Sequence, residues 1–288
     1  MSTKIGLALG GGGARGLAHI GVLKVFEKEN IPIYQVTGCS MGAIIGGAYA
    51  FLGDALTTEK FIRNLPESPA FKNLDFKTFD SGENDQDSSF YDHYLNNLKK
   101  YYSLLKNVTN PSVYDKKIVD EIFKKFPEKN IEDLPMRFAC ITTDLISGRE
   151  IVLNEGNLRN AIIASASLPG VFPPVKIDNQ VLIDGGFTDS IPVQVVKGQG
   201  AHYVIAVDVT KCIDDANNLD NALSIIYRAE DIVSYHLTQE RLAGADLVIR
   251  PKVRHLPWTA VDQIDEIIAA GEQAAKEAVP QIRKFLTK

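Results

Sequence analysis

Short apolar runs alternate with amphipathic stretches along most of this chain. Ile5-Gly6-Leu7-Ala8-Leu9 is apolar throughout, which predicts a strand of a parallel sheet buried on both faces. It runs into a glycine cluster and then an amphipathic helix over 17–28, whose apolar face is Leu17, Ile20, Leu23 and Val25 or Phe26. Ile33-Tyr34-Gln35-Val36 predicts a second strand, and 43–52 a helix so small on one face that it must pack closely against a sheet. From 57 to about 130 the pattern changes. Residues 71–89 are rich in Asp and Ser and lack a period, whereas 90–105 carries Tyr91, Tyr94, Leu95, Leu98, Tyr101 and Tyr102 at helical spacing.

Strand spacing returns over 136–143 and turns into a second run at 150–153, a predicted hairpin. A helix over 158–166 leads into the rigid stretch Ser167-Leu168-Pro169-Gly170-Val171-Phe172-Pro173-Pro174, after which 175–177 and 181–183 flank the turn Asp178-Asn179-Gln180. The remainder predicts a strand over 202–209, a helix over about 219–242, a strand over 246–250 and a helix over 261–286, kinked at Pro280. The expectation is one α/β domain over 1–288 with an insertion at about 57–130. A lid over an apolar pocket and an ordinary helical layer are equal readings of that insertion. Lys99, Lys100 and Lys106 beside its aromatic stripe suit either an anionic membrane surface or a solvated face.

Composition narrows the function classes. With 288 residues and 45% hydrophobic content the chain can bury a large core, while a net charge of -5 and a pI near 5.6 argue against nucleic acid. Cys39, Cys140 and Cys212 have neither metal-ligand spacing nor even pairing, which suggests a reducing compartment without zinc or disulfides. The acidic stretch at 80–87 lacks the order of a calcium loop. No signal core leads the chain and no run of about 18 apolar residues occurs, so the expected location is cytoplasmic, with peripheral membrane contact as a further expectation.

Gly38-Cys39-Ser40-Met41-Gly42 joins the second strand to the small-residue helix. A serine seated on such a turn projects its hydroxyl clear of the sheet, and a Cβ two positions to either side would strike neighbouring backbone, hence the glycines. Ser40 is the candidate nucleophile and Cys39 a small buried filler. A helix start capped by Ser40 is the plainer alternative. The loop Gly10-Gly11-Gly12-Gly13-Ala14-Arg15-Gly16 fits the letters of a dinucleotide fingerprint, but the next strand ends in Ser40 rather than in a ribose-binding acid. It also fits an oxyanion hole, in which successive N–H groups at a helix start converge on developing negative charge, and a simple flexible turn. Arg15 would add positive charge there, or be a solvated helix-start residue. His19 suits packing or capping better than catalysis. Asp184, at a strand end before Gly185-Gly186, is a candidate general base. Of His202, His236 and His255, which follow it, only His255 lies in a loop suited to a triad.

Together these stretches resemble the patatin-like phospholipases, and specifically their short bacterial members. The blocks are Gly11-Gly12-Gly13-Ala14-Arg15-Gly16, Gly38-Cys39-Ser40-Met41-Gly42, Ala164-Ser165-Ala166-Ser167-Leu168-Pro169 and Asp184-Gly185-Gly186, within roughly the first two-thirds of the chain. The last third carries no diagnostic motif. The resemblance implies a three-layer α/β/α sandwich with a mostly parallel central sheet and a Ser40–Asp184 dyad without histidine. It implies an oxyanion hole from Gly11, Gly12 and Gly13 with Arg15, helped by the Met41 N–H, and Gly16, Gly38, Gly42, Gly185 and Gly186 as motif glycines. It implies no cofactor or metal, and hydrolysis of fatty-acyl esters of phospholipids or lysophospholipids through an acyl-enzyme. A carboxylesterase, thioesterase or acyltransferase on soluble acyl groups, a regulatory adaptor and a nucleotide-binding module are the alternatives. Oligomeric state stays open.

Overall fold

The computed structural model describes residues 3–72, 74, 111–213, 219 and 222–287. Among these residues, eight strands form one sheet: β1 Ile5–Leu9, β2 Ile33–Cys39, β3 Arg137–Asp144, β4 Glu150–Leu153, β5 Val175–Ile177, β6 Gln180–Asp184, β7 Tyr203–Val207 and β8 Leu247–Ile249. Their order is β5-β6-β3-β2-β1-β7-β8, with β4 also paired to β3. Neighbours from β3 across to β8 run parallel, whereas β4 and β6 pair antiparallel with β3 and β5 antiparallel with β6.

Helices cover both faces. They are α1 Ala18–Lys28, α2 Met41–Leu52, α3 Ala55–Arg63, α4 Pro69–Lys72, α5 Lys116–Phe123, α6 Leu158–Ser165, α7 Val193–Gly198, α8 Ala222–Leu242 and α9 Ile264–Leu286. The two-residue alternation of β1 shows how the faces divide. Ile5, Leu7 and Leu9 enter the main core with Ile20 and Leu23 of α1, Ile45 of α2, Ile162 of α6 and Ile268 of α9. Ala8 enters a second core with Val193 and Val196 of α7 and Leu242 of α8. The fold is a three-layer α/β/α sandwich with a mostly parallel central sheet.

Element boundaries differ from expectation mainly around glycine. The helix expected from residue 17 begins as a 3₁₀ turn, Gly13–Leu17, with Gly13 at φ 58°. β2 runs on through Gly38 to Cys39, and α2 starts at Met41. The C-terminal helix continues through Pro280. The helix expected over 90–105, the acidic stretch at 80–87 and Lys99, Lys100 and Lys106 lie outside the described residues. The described ends of the insertion belong to the main core. Ile62, Leu65, Val119, Phe123 and Phe126 are buried in it, and the Phe61 ring meets Phe126 edge-on with centroids 4.9 Å apart.

The last third of the chain has an unforeseen role. A Cβ on Gly21 of α1 would lie 2.1 Å from the Ile268 carbonyl oxygen, and one on Gly271 of α9 2.0 Å from that of Ala18. The two backbones touch at these glycines, so α9 braces the helix that follows the glycine loop.

Candidate active site

Ser40 stands between β2 and α2 with φ 53° and ψ -120°, one of three non-glycine residues at positive φ among those described. Such a backbone costs of the order of 1–3 kcal/mol and persists only where its surroundings enforce it. The enforcing contacts are close. A Cβ on Gly38 would fall 2.3 Å from the carbonyl carbon of Gly42, and one on Gly42 2.1 Å from the carbonyl oxygen of Leu9. The strand and helix therefore pack backbone to backbone, and the Ser40 side chain is only half-buried. Its carbonyl accepts the Ala43 and Ile44 N–H groups, and its own N–H donates to Oγ of Ser165 at 3.1 Å.

Strand pairing brings Asp184 to this serine. β4 occupies one edge of β3 from Cys140 to Thr143, so β2 and β6 must share the other. They meet there head to head. β2 ends with Cys39 opposite Ile141, and antiparallel β6 ends with Asp184 opposite Thr142, the next residue along β3. Parallel and antiparallel neighbours on one edge thus present their carboxyl ends to each other, and the residues at those ends are the elbow and the carboxylate.

Asp184 is 5% exposed. Burial raises its pKa above the ordinary carboxylate range, against hydrogen bonds from Ser40, the Gly186 N–H and Cys39. The Gly186 N–H lies 2.9 Å and the Cys39 sulfur 3.7 Å from Oδ1. Cys39 itself is fully buried, and its thiol is pushed well above its usual pKa by burial and by the neighbouring carboxylates. Gly185 must be glycine here, because a Cβ would lie 2.4 Å from the Ile141 carbonyl oxygen.

The glycine loop passes directly beside the serine: a Cβ on Gly11 would lie 3.3 Å from the Ser40 Cβ. Its amides are divided among partners. Gly10 donates to Val207, Gly11 to Ser190 at 3.0 Å and Ala14 to Trp258 at 2.7 Å. Among the described residues the Gly12 and Gly13 N–H groups have no acceptor, and they precede the first bond of the 3₁₀ turn. The expectation that Gly11 donates to an oxyanion is corrected, since Ser190 already takes that amide. Arg15 is corrected likewise. It is 8% exposed, donates from Nε to the Gly12 carbonyl and from Nη1 to the Leu256 carbonyl, both at 3.2 Å, and is pushed down to about 10 by burial. It is a strut beneath the loop rather than a charge facing a head group. Gly16 lets Met41 approach, for a Cβ there would be 2.6 Å from the Met41 Cγ.

The histidines lie elsewhere. His19 is completely buried, its Nε2 donating to the Gly10 carbonyl at 2.8 Å, and burial pushes it down to about 4. It is a neutral prop for the loop. His202 accepts the Lys4 N–H through Nδ1, His236 meets the Tyr235 ring, and His255 is exposed. The groups that hydrogen-bond to Asp184 are Ser40, the Gly186 N–H and Cys39, with no imidazole among the described residues. Among the described residues, no group of three or more His, Cys, Asp or Glu is placed to hold a metal, and no helix is long and apolar enough to cross a membrane.

Sequence reasoning missed the residues that hold the site. Ser165 was visible only as a letter of a motif block. The Trp258 and Leu256 carbonyls, which anchor Ala14 and Arg15, left no side-chain signal. Asp189 was passed over, although it is completely buried beside Arg241 with Oδ2 lacking a hydrogen-bond partner.

Residues 7–197 match the family described as patatin-like phospholipase. Lysophospholipase NTE1 of Meyerozyma guilliermondii is 31% identical over 73% of this chain and 13% of its own length. Lysophospholipase nte1 of Emericella nidulans is 32% identical over 97% of this chain and 18% of its own length. The chain thus spans less than a fifth of these curated relatives, which are fungal, so the narrower likeness to short bacterial members finds no support in them. Among solved structures, VipD from Legionella pneumophila aligns with a TM-score of 0.52 at 13% identity, covering 97% of this chain and 67% of that one, a likeness of fold. With the match extending from β1 through the elbow and Asp184 to α7, the chain belongs to the patatin-like phospholipase family.

Proposed function

We propose that this protein hydrolyses fatty-acyl esters of phospholipids or lysophospholipids, with Ser40 as nucleophile and Asp184 as general base. The observation that carries the reading is the head-to-head meeting of β2 and β6, which sets a strained, half-buried serine against a carboxyl group of raised pKa. A buried aspartate is a stronger base than a solvated one, which suits it to a serine hydroxyl. Ser40 Oγ attacks the ester carbonyl carbon as its proton passes to Asp184. The Gly12 and Gly13 N–H groups receive the oxyanion, with the Met41 N–H at the start of α2 as helper. One such donor is typically worth about 3–4 kcal/mol of barrier. Asp184 then protonates the leaving alcohol, and water repeats the sequence on the acyl-enzyme. The relatives named lysophospholipases favour a single-chain lipid ester as substrate. The unit doing this work is one domain over 1–288 with 57–130 inserted. Its proposed location is cytoplasmic with peripheral contact to membranes, in keeping with three unpaired cysteines.

Intact mass after exposure to a long-chain alkyl fluorophosphonate tests the dyad. One adduct on wild type, none on Ser40→Ala and strongly slowed labelling of Asp184→Asn are expected. A folded wild type that stays unlabelled overturns the reading and favours an adaptor. Rates on lysophospholipid, short ester and thioester then separate lipid hydrolysis from soluble acyl chemistry.

A further inference from the structure

The C-terminal turn of α6 touches both members of the proposed dyad, although neither is near it in sequence. Oγ of Ser165 accepts the Ser40 N–H at 3.1 Å, and two residues on, the Ser167 carbonyl accepts the Asp184 N–H at 3.0 Å. Ser165 is completely buried. The Cys140 thiol nearby donates to the Ala161 carbonyl oxygen at 3.4 Å. A hydroxyl oxygen accepts through its lone pairs, and that of Ser165 is the acceptor for the Ser40 N–H.

We propose that Ser165 is a positioning residue for the proposed nucleophile: its buried hydroxyl holds the Ser40 peptide in the positive-φ conformation that aims Oγ at Asp184. The proposal rests on the dyad reading for its catalytic consequence, but the hydrogen bond can be tested apart from it. Without this acceptor the Ser40 N–H is left unpaired in a partly buried setting, and the cheapest remedy is rotation of the elbow peptide toward an ordinary backbone. That rotation would swing Oγ away from the carboxylate. Misplacement of a reacting group by about 1 Å can reduce rate about 100-fold without altering substrate binding.

The test compares Ser165→Ala with Thr58→Val, which removes another completely buried hydroxyl, one bonded to the Asp54 carbonyl in α3. The 288-residue proteins are taken through thermal unfolding, amide hydrogen exchange and steady-state hydrolysis of a lysophospholipid. Both variants are expected to lose comparable stability. Only Ser165→Ala is expected to lose protection of the Ser40 amide by about tenfold or more, with kcat lowered about 10- to 100-fold and KM unchanged. Equal Ser40 protection in wild type and Ser165→Ala overturns the proposal whether or not the protein is a hydrolase. A rate loss shared by Thr58→Val, or one residing in KM, also overturns it. If wild type is inert yet its Ser40 amide depends on Ser165, the positioning stands and the hydrolase reading fails.

Discussion

The Cys39 sulfur lies 3.7 Å from Oδ1 of Asp184, so the residue next to the proposed nucleophile hydrogen-bonds to the proposed base. That bond opposes the effect of burial on the Asp184 pKa. With Asp184 acting as the proposed base, its ionised carboxylate is the working form, so the acid limb of kcat/KM should fall above the ordinary carboxylate pKa of about 4. Cys39→Ala removes a donor to the charged form, raises the Asp184 pKa further and should move that limb to higher pH. A pH–rate profile for the two proteins checks this, and coincident limbs would count against the contact.

The elbow glycines should be intolerant in a way that an equally unusual glycine is not. Gly42→Ala sets a Cβ 2.1 Å from the Leu9 carbonyl oxygen, where only backbone can yield, and should cost more than about 3 kcal/mol. Gly53, at φ 86° beyond the end of α2, has nothing within 4 Å of where a Cβ would stand, so Gly53→Ala should cost only about 1 kcal/mol through backbone strain. Urea unfolding of the two variants measures the difference.

Asp189 should make the fold sensitive to pH. Burial pushes its pKa up to about 7, with Glu150 adding to the rise, while Arg241 at 3.9 Å and the Ile191 N–H oppose it. Burial wins because the arginine is too distant for a hydrogen bond. An unfolded aspartate loses its proton near pH 4, whereas the folded one keeps it to about 7. The native state binds more protons in that window, so stability falls as pH rises through it. Asp189→Asn should flatten the dependence and melt higher than wild type at pH 8. Thermal unfolding from pH 4 to pH 8 gives the answer, and parallel curves would refute it.

The helix brace should couple to the site. Gly271→Ala places a Cβ 2.0 Å from the Ala18 carbonyl oxygen and must displace α1 or α9. Because α1 continues directly from the 3₁₀ turn of the glycine loop, fluorophosphonate labelling should slow together with the loss of stability. Labelling at the wild-type rate in a folded Gly271→Ala protein would show that the loop is set without α9.

Much of this architecture was legible in the sequence because its strands are continuous apolar runs and its turns are marked by glycine. Ser40 and Asp184 stood out since one follows and the other closes a strand beside such a marker. What could not be read was which backbone groups would meet. The Gly11 amide is lost to Ser190, and Arg15 is turned under the loop toward Leu256, through contacts that depend on tertiary placement alone. The antiparallel β6 was equally hidden. Its apolar pattern predicts a strand but not the edge of β3 it joins, and the meeting with Cys39 follows from that edge. The close approach of α1 and α9 at Gly21 and Gly271 is likewise a tertiary contact that neither glycine announces in the sequence.

The placement of β1 in the middle of the sheet also dictates an order of events during synthesis. Of the eight strands β1 emerges first, yet one of its two neighbours is β7, at Tyr203–Val207, and the loop that follows it is held by Trp258 and Leu256 and braced by α9. A nascent chain that has made Ser40, and even Asp184, still lacks the carbonyl that holds Ala14 and the strand that flanks β1. Domains form their final packing as units once their parts are available. The packing that holds the glycine loop beside Ser40 is therefore complete only once the chain has been made through α9.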